Sequence, residues 1–184
     1  MSLEPVYGPA RREQFETLVV PHMGAAYNLA RWICRNEADA ADVVQEAVMR
    51  ALQYFDSYRG GDARAWLLQI VRNSAHTWIA RNRLAGQVAL EDSELDGTEA
   101  AASVISEDPL RAVAAQIEAE GLRLAIARLP LEQREVLILR EFEDLSYRQI
   151  ADIIGSPIGT VMSRLSRARD QLAVIVRGEQ RGAV

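Results

Sequence analysis

The chain has 184 residues, 49% of them apolar, which is enough for one larger core or two small ones. Its 21 basic residues, all arginine, stand against 26 acids for a net charge of −5, a balance unlike that of a uniformly basic nucleic-acid coat. One cysteine, no run near the roughly 18 apolar residues of a membrane span, and no apolar export core in MSLEPVYGPARREQF exclude a disulfide framework, a multi-cysteine zinc site and membrane insertion, so a cytoplasmic protein without a cofactor is expected.

The charge is unevenly spread. Residues 1–84 carry ten Arg and nine acids, net +1. Residues 85–120 carry one Arg and nine acids, net −8, and residues 121–184 carry ten Arg and eight acids, net +2. The excess of acid sits in AGQVALEDSELDGTEAAASVISED, Ala85 to Asp108, a stretch without an aromatic residue. Such a composition buries too little apolar surface to offset chain entropy. The expected organisation is therefore two near-neutral domains, 1–84 and 109–184, joined by an acidic flexible linker over 85–108. A solvated spacer and a DNA-mimicking segment are both open readings of that linker.

From Arg11 the chain is expected to be helical, with Pro21 starting or kinking a second segment that runs towards Arg35. Cys34, beside Trp32 and Ile33, reads as a buried apolar position, with a redox switch as the alternative. The cleanest periodicity is EADAADVVQEAVMRALQYF, Glu37 to Phe55. At 100° per residue, Ala40, Val43, Val44, Ala47, Val48, Ala51, Leu52 and Phe55 share one side of a helix. Asp39, Asp42, Glu46, Arg50 and Gln53 occupy a narrow sector opposite, with Gln45 and Met49 at its edge. That sector is either a solvated face steadied by a Glu46–Arg50 pair at i,i+4 or an acidic docking surface for a basic partner.

A turn-rich loop follows, DSYRGGDARAWL, in which Asp62 is placed to cap the next helix, RAWLLQIVRNSAHTWIARNR. Trp66, Leu67, Ile70 and Val71 make its apolar stripe, while Arg72, Asn73 and His76 cluster on a polar side, with Arg81 and Arg83 beyond. Basic, amide and aromatic groups beside a glycine loop suit the capture of unstacked bases. They also suit an ordinary solvated surface.

Past the linker, Asp108-Pro109 opens a helix to about Arg128, and Leu129-Pro130 breaks the chain before LEQREVLILREFE. In LSYRQIADIIG, Ser146 is the expected N-cap and Gln149 its capping-box partner. Ala151, Gly155 and Val161 have the spacing of a helix-turn-helix: a small residue for close approach, a glycine for the turn, an aliphatic residue to lock the second helix. Ser156 and Pro157 are expected to cap and start that second helix, with Val161, Leu165, Ala168, Leu172 and Ile175 as its buried stripe. Ser163, Ser166 and Arg167 point the opposite way, Thr160 lies to one side, and Arg164 and Arg169 flank them. Outward residues towards base edges and flanking arginines towards phosphates are what a recognition helix needs.

With these stretches in hand, the chain resembles an extracytoplasmic-function (ECF, group four) bacterial RNA polymerase sigma factor. ADAADVVQEAVMRA is similar to the family's region-two helix that holds core RNA polymerase. RAWLLQIVRNSAHTWIARNR is similar to its promoter −10 segment, and LPLEQREVLILREFEDLSYRQIADIIGSPIGTVMSRLSRARDQL to region four, whose last helix reads the −35 element. The resemblance implies an all-α fold of two small helical domains, with no catalysis. It assigns Asp39, Asp42, Gln45, Glu46 and Arg50 to the polymerase, and Tyr58 and Asn73 to capture of a flipped −10 base. Arg72, His76 and Arg81 are candidates for the same −10 surface from their polar positions. Thr160, Ser163, Arg164 and Arg167 match the −35 readers, with Arg148, Met162 and Arg169 beside them as further candidates. Met162 stands where the family often carries a basic residue. Core RNA polymerase, promoter DNA and an anti-sigma factor are the implied partners, and the near-neutral domains imply weak promoter binding by the chain alone. Two rivals are a stand-alone helix-turn-helix regulator, which would dimerise on a palindrome, and an enzyme acting on nucleic acid. Against the enzyme, His22 and His76 are the only histidines and no phosphate-cradling glycine motif is present.

Overall fold

The computed structural model describes residues 8–84 and 109–182, and every regular element among them is helical. The linker expected over 85–108 lies outside the described residues. The chain divides into two compact units, each taken here by itself.

Helix α1, Pro9–Val19, begins with proline in its first turn, where the missing N–H costs nothing. It starts two residues before the expected Arg11. A 3-10 turn, Val20–His22, holds Pro21 and leads into α2, Met23–Cys34. Arg35 ends α2 in the left-handed conformation, φ 62°. The side chain of Asn36 then accepts from the Asp39 N–H at 3.0 Å and starts α3, Glu37–Gln53. Helix α4, Ala63–Leu84, opens with the expected cap: Asp62 accepts from the Ala65 N–H at 3.1 Å.

Helices α2, α3 and α4 pack pairwise, and α1 lies against α4. Their shared core holds Leu29, Ala30, Ile33, Val43, Ala47, Ala51, Leu67, Leu68, Val71 and Ala75, nearly all fully buried. Each fully buried leucine contributes about 1.5–3 kcal/mol relative to exposure. The sequence periodicity of α3 agrees with this core except at Val48 and Leu52, which are half-buried. Phe55 is buried as expected, though from a 3-10 turn, Phe55–Ser57, rather than from the helix. In α4 the buried stripe is Leu67, Leu68, Val71, Ser74 and Ala75; Trp66 and Ile70 are only half-buried.

The C-terminal unit is built on α8, Ile158–Gly182, against which α5, Pro109–Ala127, and α6, Leu131–Glu141, both pack. Six consecutive residues of α6, Arg134 to Leu139, are buried, so this helix is enclosed on every side. Arg134 donates to the Ala127 carbonyl at 2.8 Å, an end-of-helix acceptor that α5 cannot satisfy internally. Between α6 and α8 runs α7, Tyr147–Ile154. Its capping box is reciprocal: the Ser146 N–H donates to Gln149 Oε1 at 2.9 Å and the Gln149 N–H to Ser146 Oγ at 3.3 Å.

Gly155, at φ 64°, closes α7, and the Ser156 N–H donates back to the Ala151 carbonyl at 3.0 Å. This six-to-one bond with a left-handed glycine is a Schellman turn. Helix α8 starts one residue later than expected, because the Pro157 carbonyl, not Ser156, takes the first bonds, from the Thr160 and Val161 N–H groups. Val161, Leu165 and Ala168 are buried, whereas Leu172 and Ile175 are half-buried.

Cys34 is half-buried at the end of α2, and burial, then the charge of Asp39, pushes its thiol up from an ordinary 9.0 to about 12. A thiol so held is a poor nucleophile at neutral pH, which favours the apolar reading over a redox switch. The folded state binds the thiol proton more tightly than the unfolded state does. This contribution to stability is therefore complete below pH 9 and is lost as pH rises towards 12. Iodoacetamide at pH 8 should label Cys34 at least about tenfold more slowly in the folded chain than in urea; equal rates would refute the assignment.

Candidate functional site

In the N-terminal unit, α3 turns its small apolar side inwards and its acidic side out. Asp42 and Gln45 are exposed; Asp39, Glu46 and Arg50 are half-buried. Burial and the neighbouring Asp42 raise the Asp39 carboxyl above its ordinary value. Glu46 forms the expected i,i+4 pair with Arg50 and also faces Arg81 of α4 at 3.8 Å. Arg81, expected with the −10 candidates, thus stands beside the acidic face. Two exposed apolar side chains lie close to that face in the chain, Met49 at its edge and, just past the helix, Tyr54. Tyr54 was not legible as a site residue, since only its place in the turn after the acidic sector hints at it.

Beyond α3 the loop is built on aromatic packing. Phe15 meets Phe55 edge-on at 5.3 Å, Phe55 stacks on Tyr58 at 6.2 Å, and Tyr58 lies 5.1 Å from Trp66. The Tyr58 hydroxyl donates to the Gly61 carbonyl at 2.7 Å. Gly60 and Gly61, at φ 88° and 99°, take conformations open in practice only to glycine. Tyr58 is therefore half-buried and fixed on both ring and hydroxyl, while Asn73 on α4 is exposed and Arg72 and His76 are half-buried. The three α4 side chains form one polar surface, as their spacing requires.

In the C-terminal unit the first turns of α8 present hydroxyl and apolar groups. Thr160 is half-buried, and the exposed Ser163 donates its hydroxyl back to the Thr160 carbonyl at 3.0 Å. Its oxygen keeps a lone pair for an outside donor. Met162 is 53% exposed and Ile158, one turn earlier, 44%. Ile158 carries no signal in the sequence beyond its i,i+4 spacing from Met162.

The flanking arginines are tied back to α6. Arg164 pairs with Glu132 at 2.7 Å, its side chain only 20% exposed. Arg169 pairs with Glu141 at 2.6 Å, and that hydrogen bond holds its guanidinium above the ordinary value. Arg167 and, on α7, Arg148 are exposed and make no ion pair among the described residues. Among the described residues there is no group of three metal-ligating side chains, and no helix is long and apolar enough to cross a membrane.

A helical bundle with an acidic outer helix, followed in the chain by a helix-turn-helix, is the architecture that comparison with known proteins also returns. The sigma-70 region 2 family matches residues 18–85 and the sigma-70 region 4 family residues 119–172. The RNA polymerase sigma-H factor of Pseudomonas aeruginosa is 35% identical, over 88% of this chain and 85% of that protein. The ECF RNA polymerase sigma-E factor of Escherichia coli K12 is 31% identical over the same shares. Among solved structures, the sigma factor RpoE in complex with the anti-sigma factor NepR from Bartonella quintana is 26% identical. It superposes with a TM-score of 0.71 over 90% of this chain and 98% of that one. The chain belongs to the ECF RNA polymerase sigma factors, initiation factors that direct the polymerase to promoters rather than enzymes.

The ion pairs separate two arginines that look alike in sequence. Arg164→Ala, which removes a mostly covered side chain and leaves Glu132 without its ion pair, should cost up to about 1 kcal/mol of stability. Arg167→Ala should leave the melting temperature unchanged within error. Equal losses in thermal denaturation would contradict this placement.

Proposed function

We propose that the two units divide promoter recognition between them. The exposed acidic face of α3 docks on core RNA polymerase, with Asp42 and Gln45 at its centre and Met49 and Tyr54 as its apolar margin. Asp39, Glu46 and Arg50 complete the face, Glu46 also fixing α4 through Arg81. Asn73 is the base-contacting group of the −10 surface. Arg72, His76 and Arg81 border it, and Tyr58 shapes the loop that closes over an unstacked base. In the C-terminal unit α8 enters the −35 major groove with Thr160, Met162, Ser163 and Arg167 towards base edges, and Arg148 towards the phosphates. Arg164 and Arg169 act from behind, holding α8 on α6.

The acidic segment 85–108 is the tether between the domains 1–84 and 109–184. An anti-sigma factor holds the chain inactive, by analogy with the complex recorded for the Bartonella quintana relative. The chain works in the cytoplasm, where the polymerase is.

The observation that carries the reading is that α3 buries Ala40, Val43, Val44, Ala47 and Ala51 on one side and turns an acidic sector, with Asp42 and Gln45 exposed, to the other. Run-off transcription with core polymerase on a genomic promoter library tests it. Asp42→Arg with Gln45→Ala changes two exposed side chains, so the fold should be kept. Like-charge contacts at an interface cost several kcal/mol, and each ~1.4 kcal/mol is tenfold. Transcript yield should therefore fall at least about tenfold with the melting temperature unchanged. Undiminished initiation by the double variant would remove α3 from the docking site.

A further inference from the structure

We propose that Met162, supported by Ile158, makes −35 recognition by this chain depend on the 5-methyl groups of thymine. The inference rests on α8 being the −35 reader and goes further, to the chemistry of the base edge it reads.

Guanine-rich readout in the major groove is the work of a free arginine or lysine, which bonds both acceptors of guanine at once; an apolar side chain instead touches the thymine methyl. The first three turns of α8 offer very little of the former. Arg164 is committed to Glu132 and Arg169 to Glu141. Of the arginines from Ile158 to Asp170, only Arg167 is exposed and makes no ion pair among the described residues.

What those turns do offer is apolar and hydroxylic. Ile158 and Met162 are 44% and 53% exposed and stand at i and i+4, so they form one strip at the N-terminal end of the helix. Ser166 and then Ser163 follow the strip along its outward flank, and Thr160 stands on the far side of the helix. Single exposed apolar residues are common on protein surfaces. A pair in register, at the end of the helix that enters the groove and bordered on its outward flank by serines, is a continuous apolar contact surface. Methionine suits it because its thioether is unbranched, polarizable and free to follow a methyl group. The hydroxyls donate to or accept from any base, so they leave discrimination to the strip and to Arg167. The expected element therefore carries thymine where Met162 reaches and guanine within reach of Arg167.

The test uses the full chain with core polymerase. A template library randomised at the −35 region is selected for initiation, and the selected thymines are then replaced one at a time by deoxyuridine, which lacks only the methyl. Wild type should lose about fourfold in initiation at a contacted thymine, the effect of one buried methyl-sized group. Met162→Ala should initiate less well and no longer distinguish thymine from deoxyuridine, while Ser163→Ala should keep the distinction. A selected element without thymine, or a deoxyuridine penalty that Met162→Ala leaves intact, overturns the inference while leaving α8 as the −35 reader. Initiation without any −35 preference overturns the assignment of α8 as well.

Discussion

Close approach through small side chains is the constraint on which both units depend. In α3 the inward residues are Ala40, Val43, Val44, Ala47 and Ala51; Ala26 and Ala30 of α2 and Ala75 of α4, the helices packed against it, are buried too. Interaxial distance follows side-chain size at the contact, and interiors packed to crystal-like density leave such helices little room to turn. An outward face is only as well placed as the inward face that holds it. Because α3 is fixed along its length, Asp42 and Gln45 project in a single arrangement. The same device recurs on a smaller scale at Ala151 and Gly155, where a left-handed glycine and the bond from Ser156 set the direction in which α8 departs.

Charge is allotted rather than accumulated. The protein has many arginines, yet most of those described are occupied within their own unit. Arg50 and Arg81 serve Glu46, Arg164 serves Glu132, and Arg169 serves Glu141. Exposed pairs of this kind contribute little to stability, typically below about 1 kcal/mol each. Their larger effect is on recognition, because an arginine already paired with a carboxylate gains less when it meets a phosphate. Phosphate neutralisation dominates affinity for duplex DNA, and here few cations are free for it. Weak DNA binding by the chain alone is thus expected from the units themselves and not only from the net charge of −5.

Much of this was legible in the sequence where the controlling physics is local. The face of α3, the Ser146–Gln149 box, the Asp62 cap and the glycine turn at Gly155 all depend on residues within about one helical turn of each other. Where partners come from elsewhere in the chain, the sequence was silent. Arg164 and Arg169 look alike as flanking cations until Glu132 and Glu141 of α6 are seen beside them. Helix α6 shows no simple stripe because it is enclosed, and its buried Arg134 and Glu135 interrupt the apolar pattern. Leu172 and Ile175 continue the period of α8 faithfully but are only half-buried, since period alone does not say where a helix outruns its neighbours. Tyr58 reads as a loop aromatic open to a base; its packing between Phe55 and Trp66 is a tertiary fact.

Neither unit is expected to find a promoter unaided; core polymerase would present them together, raising the effective concentration of each at its element. Footprinting of one selected promoter measures this directly, with the chain alone and with the chain bound to core polymerase. Protection of the −35 region and permanganate-reactive thymines at −10 should appear only with the polymerase present. Protection of both elements by the chain alone at the same concentration and physiological salt would contradict the account.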